Sequence, residues 1–298
     1  MGGEKMPHIM ANQINLYYER HAPDEACGAP PLILIRGLGT QLIQWPTAFI
    51  DYFLNLGLEV ITFDNRDVGL SQKIDAAGVP DIGALSAAAG SGVSFPVPYG
   101  LADMAEDVIG LMDELGIEKA NIFGMSLGGM VAQHLAFSHA ARMAHVVCVM
   151  SSSGNPNLPP PDAGSLAPSD AEDEAELIEH VTQGLAQYMS PKYPTPEADR
   201  RAMATQIVQR CYYPQGVIRQ MAAVITDGSR VDRLKTINVP FLVIHGDSDA
   251  LLQPVCGEDI VAHVPDAGWH LIDGMGHDIG PGLEQVIGPH VANFMQLA

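Results

Sequence analysis

Gly124-Met125-Ser126-Leu127-Gly128-Gly129 is the stretch on which the reading of this chain turns. It follows a compact apolar run, Ala120 to Gly124, and precedes Leu127 to Ser138, a segment rich in small residues with a helical pattern. A G-x-S-x-G sequence between a strand and a helix reads as a sharp turn. Glycines are needed there because the backbone folds tightly and the following helix packs close to the strand. The turn presents the Ser126 hydroxyl at the carboxyl end of the strand and at a helix N-terminus, where a nucleophile can be reached. The pattern alone also fits an ordinary tight turn, so its strand–turn–helix setting carries the argument.

Outward from this motif, apolar runs alternate with helical patterns. Upstream, Pro31 to Ile35 and Glu59 to Phe63 read as buried strands, and Ile9 to Tyr18 as an antiparallel strand or hairpin. Downstream, His145 to Met150, Pro240 to His245 and a weaker run, Trp269 to Ile272, continue the series. Helices fit over Trp45 to Leu56, Leu101 to Leu115, Leu127 to Ser138 and Leu283 to Leu297. Met104, Val108, Leu111, Met112 and Leu115 share one helical face, and Gly57 suits a helix C-terminus. This alternation predicts an α/β fold built on a mostly parallel sheet.

Two stretches break the rhythm. Residues 73–100, low in charge and rich in Ala, Gly and Ser, read as a long loop. Residues 152–230 open on the stiff segment Gly154 to Pro161 and then carry three amphipathic patterns. Leu177, Ile178, Val181, Leu185 and Met189 form the first. Met203, Ile207, Val208 and Cys211 form the second, and Val217, Ile218, Met221 and Ile225 the third. They read as a helical cap over 152–230, leaving 1–151 and 231–298 as the core.

A serine hydroxyl needs a base. Of the 11 histidines, His277 stands apart: it lies in Gly274-Met275-Gly276-His277-Asp278, between the last strand and the last helix. A loop there returns an imidazole to the strand ends. The base in turn needs a carboxylate. His245-Gly246-Asp247-Ser248-Asp249 follows a buried strand and offers two. Asp249, placed in the turn that leads to Pro254, is the first choice. Asp247 is the second, with bonds to the backbone amides of that turn as its other role. The chain order is then Ser126, Asp249, His277. Arg36-Gly37-Leu38-Gly39 follows the first parallel strand, and the backbone N–H groups of Leu38 and Leu127 are the expected oxyanion donors. Gly37 and Gly39 can also simply shape a turn.

Across nearly its whole length the chain resembles the α/β-hydrolase superfamily. The likeness rests on Ile35 to Pro46, Phe63 to Ser71, the Ser126 turn and Ser151 to Pro160. It is strongest to the serine esterase branch that includes aclacinomycin methylesterase-type and enol-lactonase-type hydrolases. The resemblance implies an eight-stranded sheet with a helical cap after strand six, and hydrolysis through an acyl-enzyme. Two positions depart from the family pattern. Arg36-Gly37 stands where His-Gly is usual, which bears on the polar support of the oxyanion loop. Arg66 to Ser71 replaces Arg-Gly-x-Gly-x-Ser, and Arg66 and Asp67 read as an ion pair bracing that loop.

Composition narrows the rest. The chain has 298 residues, 35 acidic against 15 basic, and a net charge of −20. Such a chain repels phosphate backbones and anionic lipid, which argues against nucleic-acid and membrane-surface roles. No apolar run reaches the roughly 18 residues of a membrane span, and Met1 to Leu16 lacks a secretory pattern, so the expected place is the cytoplasm. The four cysteines show no metal or disulfide spacing, and Cys148 reads as core. A metal site at His245, Asp247 and Asp249 fails the calcium-loop pattern, which needs a glycine at its sixth position. Gly37 to Leu42 lacks the third glycine of a dinucleotide loop. No cofactor and no metal are expected. The expected activity is cleavage of a small-molecule carboxylic ester with a short to medium acyl group. The alternatives are a lactone or C–C bond hydrolase, a cofactor-free perhydrolase, and a low-turnover ligand receptor.

Overall fold

The apolar runs of the sequence become neighbouring strands of one sheet in the computed structural model, which describes residues 7–88, 96–162, 169 and 171–297. In chain order the strands are β1 (His8–Ala11), β2 (Ile14–His21), β3 (Leu32–Ile35), β4 (Val60–Phe63), β5 (Ala120–Met125), β6 (Met143–Val149), β7 (Phe241–Gly246) and β8 (Gly268–Ile272). The helices are α1 (Thr47–Asn55), α2 (Ile82–Ala88), α3 (Leu101–Glu114), α4 (Leu127–Ser138), α5 (Glu174–Gln187), α6 (Glu197–Cys211), α7 (Pro214–Asp227), α8 (Val231–Leu234), α9 (Val255–His263) and α10 (Glu284–Phe294). The eight strands lie in the order β1-β2-β4-β3-β5-β6-β7-β8. Only β2 runs against its neighbours, so the sheet is mixed but mostly parallel.

Both faces of the sheet are covered, which is why its central strands read as unbroken apolar runs rather than alternating ones. On β3, Ile33 and Ile35 enter a core shared with α3 and α4. Leu32 and Leu34 enter the opposite core, with Phe49 and Phe53 of α1 and Ile287 and Val291 of α10. Cys148 is fully buried, as the sequence suggests. The stretch 73–100 is not one long loop, because α2 and a 3-10 turn at Asp75–Ala77 break it up. Its residues 89–95 lie outside the described ones. Three helices, α5 to α7, form an insert between β6 and β7. Met189, assigned to the face of the first of these, falls just beyond the end of α5.

The strand order also says where a site belongs. From β3 the chain passes to β4 on one side, and β5 then starts the run to β8 on the other. Loops leaving β3 and β5 diverge at that switch point, and the carboxyl ends of the strands there form a crevice suited to a ligand. Leu38 follows β3 and Ser126 follows β5.

Candidate active site

Ser126 sits between β5 and α4 with φ 56° and ψ −120°, a left-handed conformation that costs a non-glycine residue roughly 1–3 kcal/mol. The surroundings hold it there. Ser126 N donates to Val149 O at 2.9 Å, and Ser126 O accepts from Gly129 N at 2.9 Å, Met130 N at 3.1 Å and Ser151 Oγ at 2.8 Å. The glycines are required by close approach. A Cβ on Gly124 would overlap the Gly128 carbonyl, one on Gly128 would overlap Ile35 O, and one on Gly129 would press on Ser151.

His277 reaches this serine from the loop after β8. Its Nε2 lies 2.9 Å from Ser126 Oγ, and its Nδ1 lies 2.7 Å from Asp249 Oδ2. A carboxylate only accepts, so Nδ1 carries the proton and Nε2 offers its lone pair to the serine hydroxyl. The loop is tied down as well: His277 N donates to Tyr188 O at 2.7 Å, and Asp278 accepts from Ser190 N and Ser190 Oγ.

Asp249 is 4% exposed. Burial alone would raise its carboxyl, but hydrogen bonds from His245 and His277 outweigh that and hold it at about 2. Its Oδ1 accepts from Leu251 N and Leu252 N, both at 2.9 Å. Asp247 points elsewhere. Its Oδ1 accepts from Gly274 N and Ser248 Oγ, both at 2.8 Å, and braces the turn between the β7 and β8 loops. The residues of the rejected metal reading are thus committed to other bonds. His245 Nε2 donates to Leu252 O at 2.8 Å and lies 3.3 Å from Asp249 Oδ2. Its Nδ1 is buried with no partner among the described residues. Sequence reasoning weighed His245 only as a strand end and as a metal ligand, and missed that its ring flanks Asp249.

The loop after β3 passes beside the serine, since a Cβ on Gly37 would lie 3.2 Å from Ser126 Cβ. Leu38 stands at its turn. The polar support that Arg36 put in question comes from several residues. Thr40 N and Thr40 Oγ1 donate to Gly37 O at 3.3 and 2.9 Å, and Asn65 Nδ2 donates to Arg36 O at 3.2 Å. The Arg36 guanidinium lies 4.6 Å over the Trp45 ring. Burial lowers its pKa to about 10, which leaves it charged at neutral pH. Leu127 N–H, at the first turn of α4, lies ahead of the helix's own hydrogen-bond ladder.

Arg66 and Asp67 do not pair with each other. Arg66 makes a bidentate bond to Asp107 of α3, at 2.6 Å on both oxygens. Asp67, at φ 67°, binds Arg219 of α7 at 2.8 Å on both oxygens. The left-handed backbone at Asp67 sends the two neighbouring side chains to different elements. Both Arg219 and Asp67 are fully buried, and no local pattern in the sequence marks them as partners.

A family profile described as the alpha/beta hydrolase fold matches residues 30–280. Among curated proteins, the chain is similar to rhodomycin D methylesterase of Streptomyces peucetius, at 24% identity over 85% of this chain and 87% of that protein. It is also similar to 3-oxoadipate enol-lactonase 1 of Acinetobacter baylyi, at 25% identity over 82% and 81%. Among solved structures, the enol-lactonase from Burkholderia xenovorans LB400 superposes with a TM-score of 0.74 at 22% identity, covering 97% of this chain and 100% of that one. No helix among the described residues is long and apolar enough to cross a membrane.

Proposed function

Because the chain belongs to the α/β-hydrolase fold family, we propose that it is a carboxylic ester hydrolase working through an acyl-enzyme on Ser126. The observation that carries this reading is the unbroken relay from Ser126 Oγ through both ring nitrogens of His277 to Asp249. His277 Nε2 takes the serine proton as Oγ attacks the ester carbonyl. Leu38 N–H and Leu127 N–H receive the oxygen that becomes negative. His277 then returns its proton to the leaving alcohol, and a water molecule, deprotonated by the same nitrogen, releases the acid. Asp249 stays ionised throughout and stabilises the imidazolium. The methylesterase relative favours an ester as substrate. A lactone is a cyclic ester open to the same attack, and the enol-lactonase relative keeps it as the second reading.

The insert supports a limit on acyl length because it touches both sides of the site. Val217 of α7 crowds Gly39 of the oxyanion loop, and Tyr188 and Ser190, after α5, bond the His277 loop. Short to medium acyl esters in monomeric solution are the expected substrates. A panel of p-nitrophenyl esters of graded acyl length, run with wild type and Ser126→Ala, tests both points. Wild type should favour the shorter chains. The folded Ser126→Ala variant should lose at least about four orders of magnitude in kcat. A variant retaining a tenth of the wild-type rate would refute the relay, and a sharp rise in rate above the solubility limit of a long-chain ester would refute the length limit.

A further inference from the structure

The oxyanion loop has a glycine on each side of Leu38, so its own backbone does little to fix where the Leu38 N–H points. Peptide planes are rigid, so holding one atom in each of two successive planes limits how the residue between them can turn. The plane before Leu38 Cα is held at its oxygen, where Gly37 O accepts from Thr40 N and Thr40 Oγ1. The plane after it is held at its nitrogen, where Gly39 N donates to Gln220 Oε1 at 2.8 Å. Gln220 belongs to α7 of the insert, 181 residues away in sequence, and is fully buried. Its Nε2 donates to Arg66 O at 2.9 Å, and Arg66 is itself fixed on Asp107. The amide of Gln220 is therefore engaged at both ends and cannot turn away without stranding a buried group.

We propose that Gln220 is a positioning residue for ester hydrolysis: by fixing Gly39 it aims the Leu38 N–H at the oxygen that becomes negative when Ser126 attacks. This rests on the ester-hydrolase reading above. With the Gly39 N–H already taken, Leu38 is left as the donor of that loop. The insert then serves more than substrate size, since one of its helices completes the setting of the oxyanion hole. Gln220 touches no reacting atom, so its loss shows in the transition state and not in substrate binding.

The test uses the full chain with a p-nitrophenyl ester and a p-nitrophenyl phosphonate, whose adduct on Ser126 is read by mass spectrometry. Gln220→Leu is expected to lower kcat by about 10- to 100-fold, the scale of a misplaced oxyanion donor, with KM within about twofold. Phosphonate labelling of Ser126 should slow in parallel. Gln220→Glu is the conservative partner. Its carboxylate accepts from Gly39 N–H but has no proton for Arg66 O, and protonation restores that donor. The ratio of variant to wild-type kcat should therefore climb as the pH falls, which a role in packing alone would not produce. A folded Gln220→Leu protein with kcat within twofold of wild type overturns the proposal, and so does a rise in KM at unchanged kcat. If circular dichroism shows Gln220→Leu unfolded, the Gln220→Glu ratio decides, and a flat ratio counts against the role. A wild-type protein that neither turns over esters nor is labelled at Ser126 removes the ester-hydrolase reading itself, and this role with it. An active wild type with an indifferent Gln220 removes only the role.

Discussion

Helices α4 and α5 show two ways of holding an element. Ten of the twelve residues of α4 are buried, including Gly128 and Gly129 against the sheet, so apolar packing chiefly keeps it in place, with polar bonds from its buried Gln133 and His134 beside it. Of the fourteen residues of α5 only Thr182 is buried, so that explanation fails for this helix of the insert. Of the eleven apolar side chains that mark the three insert helices in sequence (Val208 and Cys211 aside), Ile207 is buried and the others are half-buried. Buried polar clamps make up the difference. Arg210 of α6 binds Asp64 and Gln41, each at 2.7 Å. Arg219 of α7 binds Asp67, and Arg230 joins Asp227, Gln133 and Ser152 at the foot of the insert. Such contacts are directional. They fix the insert in one register over the strand ends, at the cost of desolvating charge.

The largest effect should separate two neighbouring carboxylates of the core. Asp249→Asn is expected to lower kcat by about 10³- to 10⁴-fold, because an amide no longer favours the Nδ1-protonated tautomer of His277. Asp247→Asn should leave kcat within a few-fold and cost about 1 kcal/mol of stability, because an uncharged amide oxygen accepts more weakly from Gly274 N than the carboxylate does. Ester kinetics on both variants measure this, and reversed effects would move the acid from Asp249 to Asp247.

Next comes the clamp between core and insert. Arg219→Leu leaves Asp67 buried without its counter-ion and should cost about 3–5 kcal/mol in urea unfolding. Adding Asp67→Asn should restore part of that. A loss below about 1 kcal/mol would mean that apolar faces hold the insert after all.

The depressed pKa of Asp249 ties the site to acid stability. A carboxylate whose folded value lies below its unfolded one stabilises fully above the unfolded value and loses that contribution as pH falls through the folded one. With a folded value of about 2 against the ordinary 3.8, wild type should lose about 2 kcal/mol between roughly pH 5 and pH 2 that Asp249→Asn does not lose. Parallel unfolding curves for the two proteins over that window would contradict the assignment.

The smallest effect is expected at the insert's outer face. Arg201 and Glu179 pair there with both side chains nearly half exposed. Arg201→Ala should leave Tm and kcat unchanged, since water screens exposed pairs. A clear drop in Tm would erase the distinction between buried clamps and surface pairs.

Short-range constraints made much of this legible. The glycines around Ser126 report a turn whose geometry no other residue allows, and β3 to β7 announce themselves as apolar runs because both faces of the sheet are covered. Placing Ser126, Asp249 and His277 after the fifth, seventh and eighth strands followed from the order of those runs. The 3-10 turn at Asp75–Ala77 and α2 were not legible, because a low-charge Ala and Gly stretch carries no apolar period strong enough to stand out from a loop.

The packed structure puts Asp249, not Asp247, against His277; by itself, the sequence determined the class of fold, the Ser126 turn and the helical insert. Each of these is written in local backbone preference or in the spacing of apolar side chains. Only the tertiary structure decided where the polar clamps go. Arg66 and Asp67 are adjacent in sequence yet serve α3 and α7. Gln220 finds Gly39, and Arg210 finds Asp64, across more than a hundred residues. A buried polar side chain takes whichever partner the packed elements bring within about 3 Å, and that meeting depends on how helices and loops dock, which no short window of sequence contains.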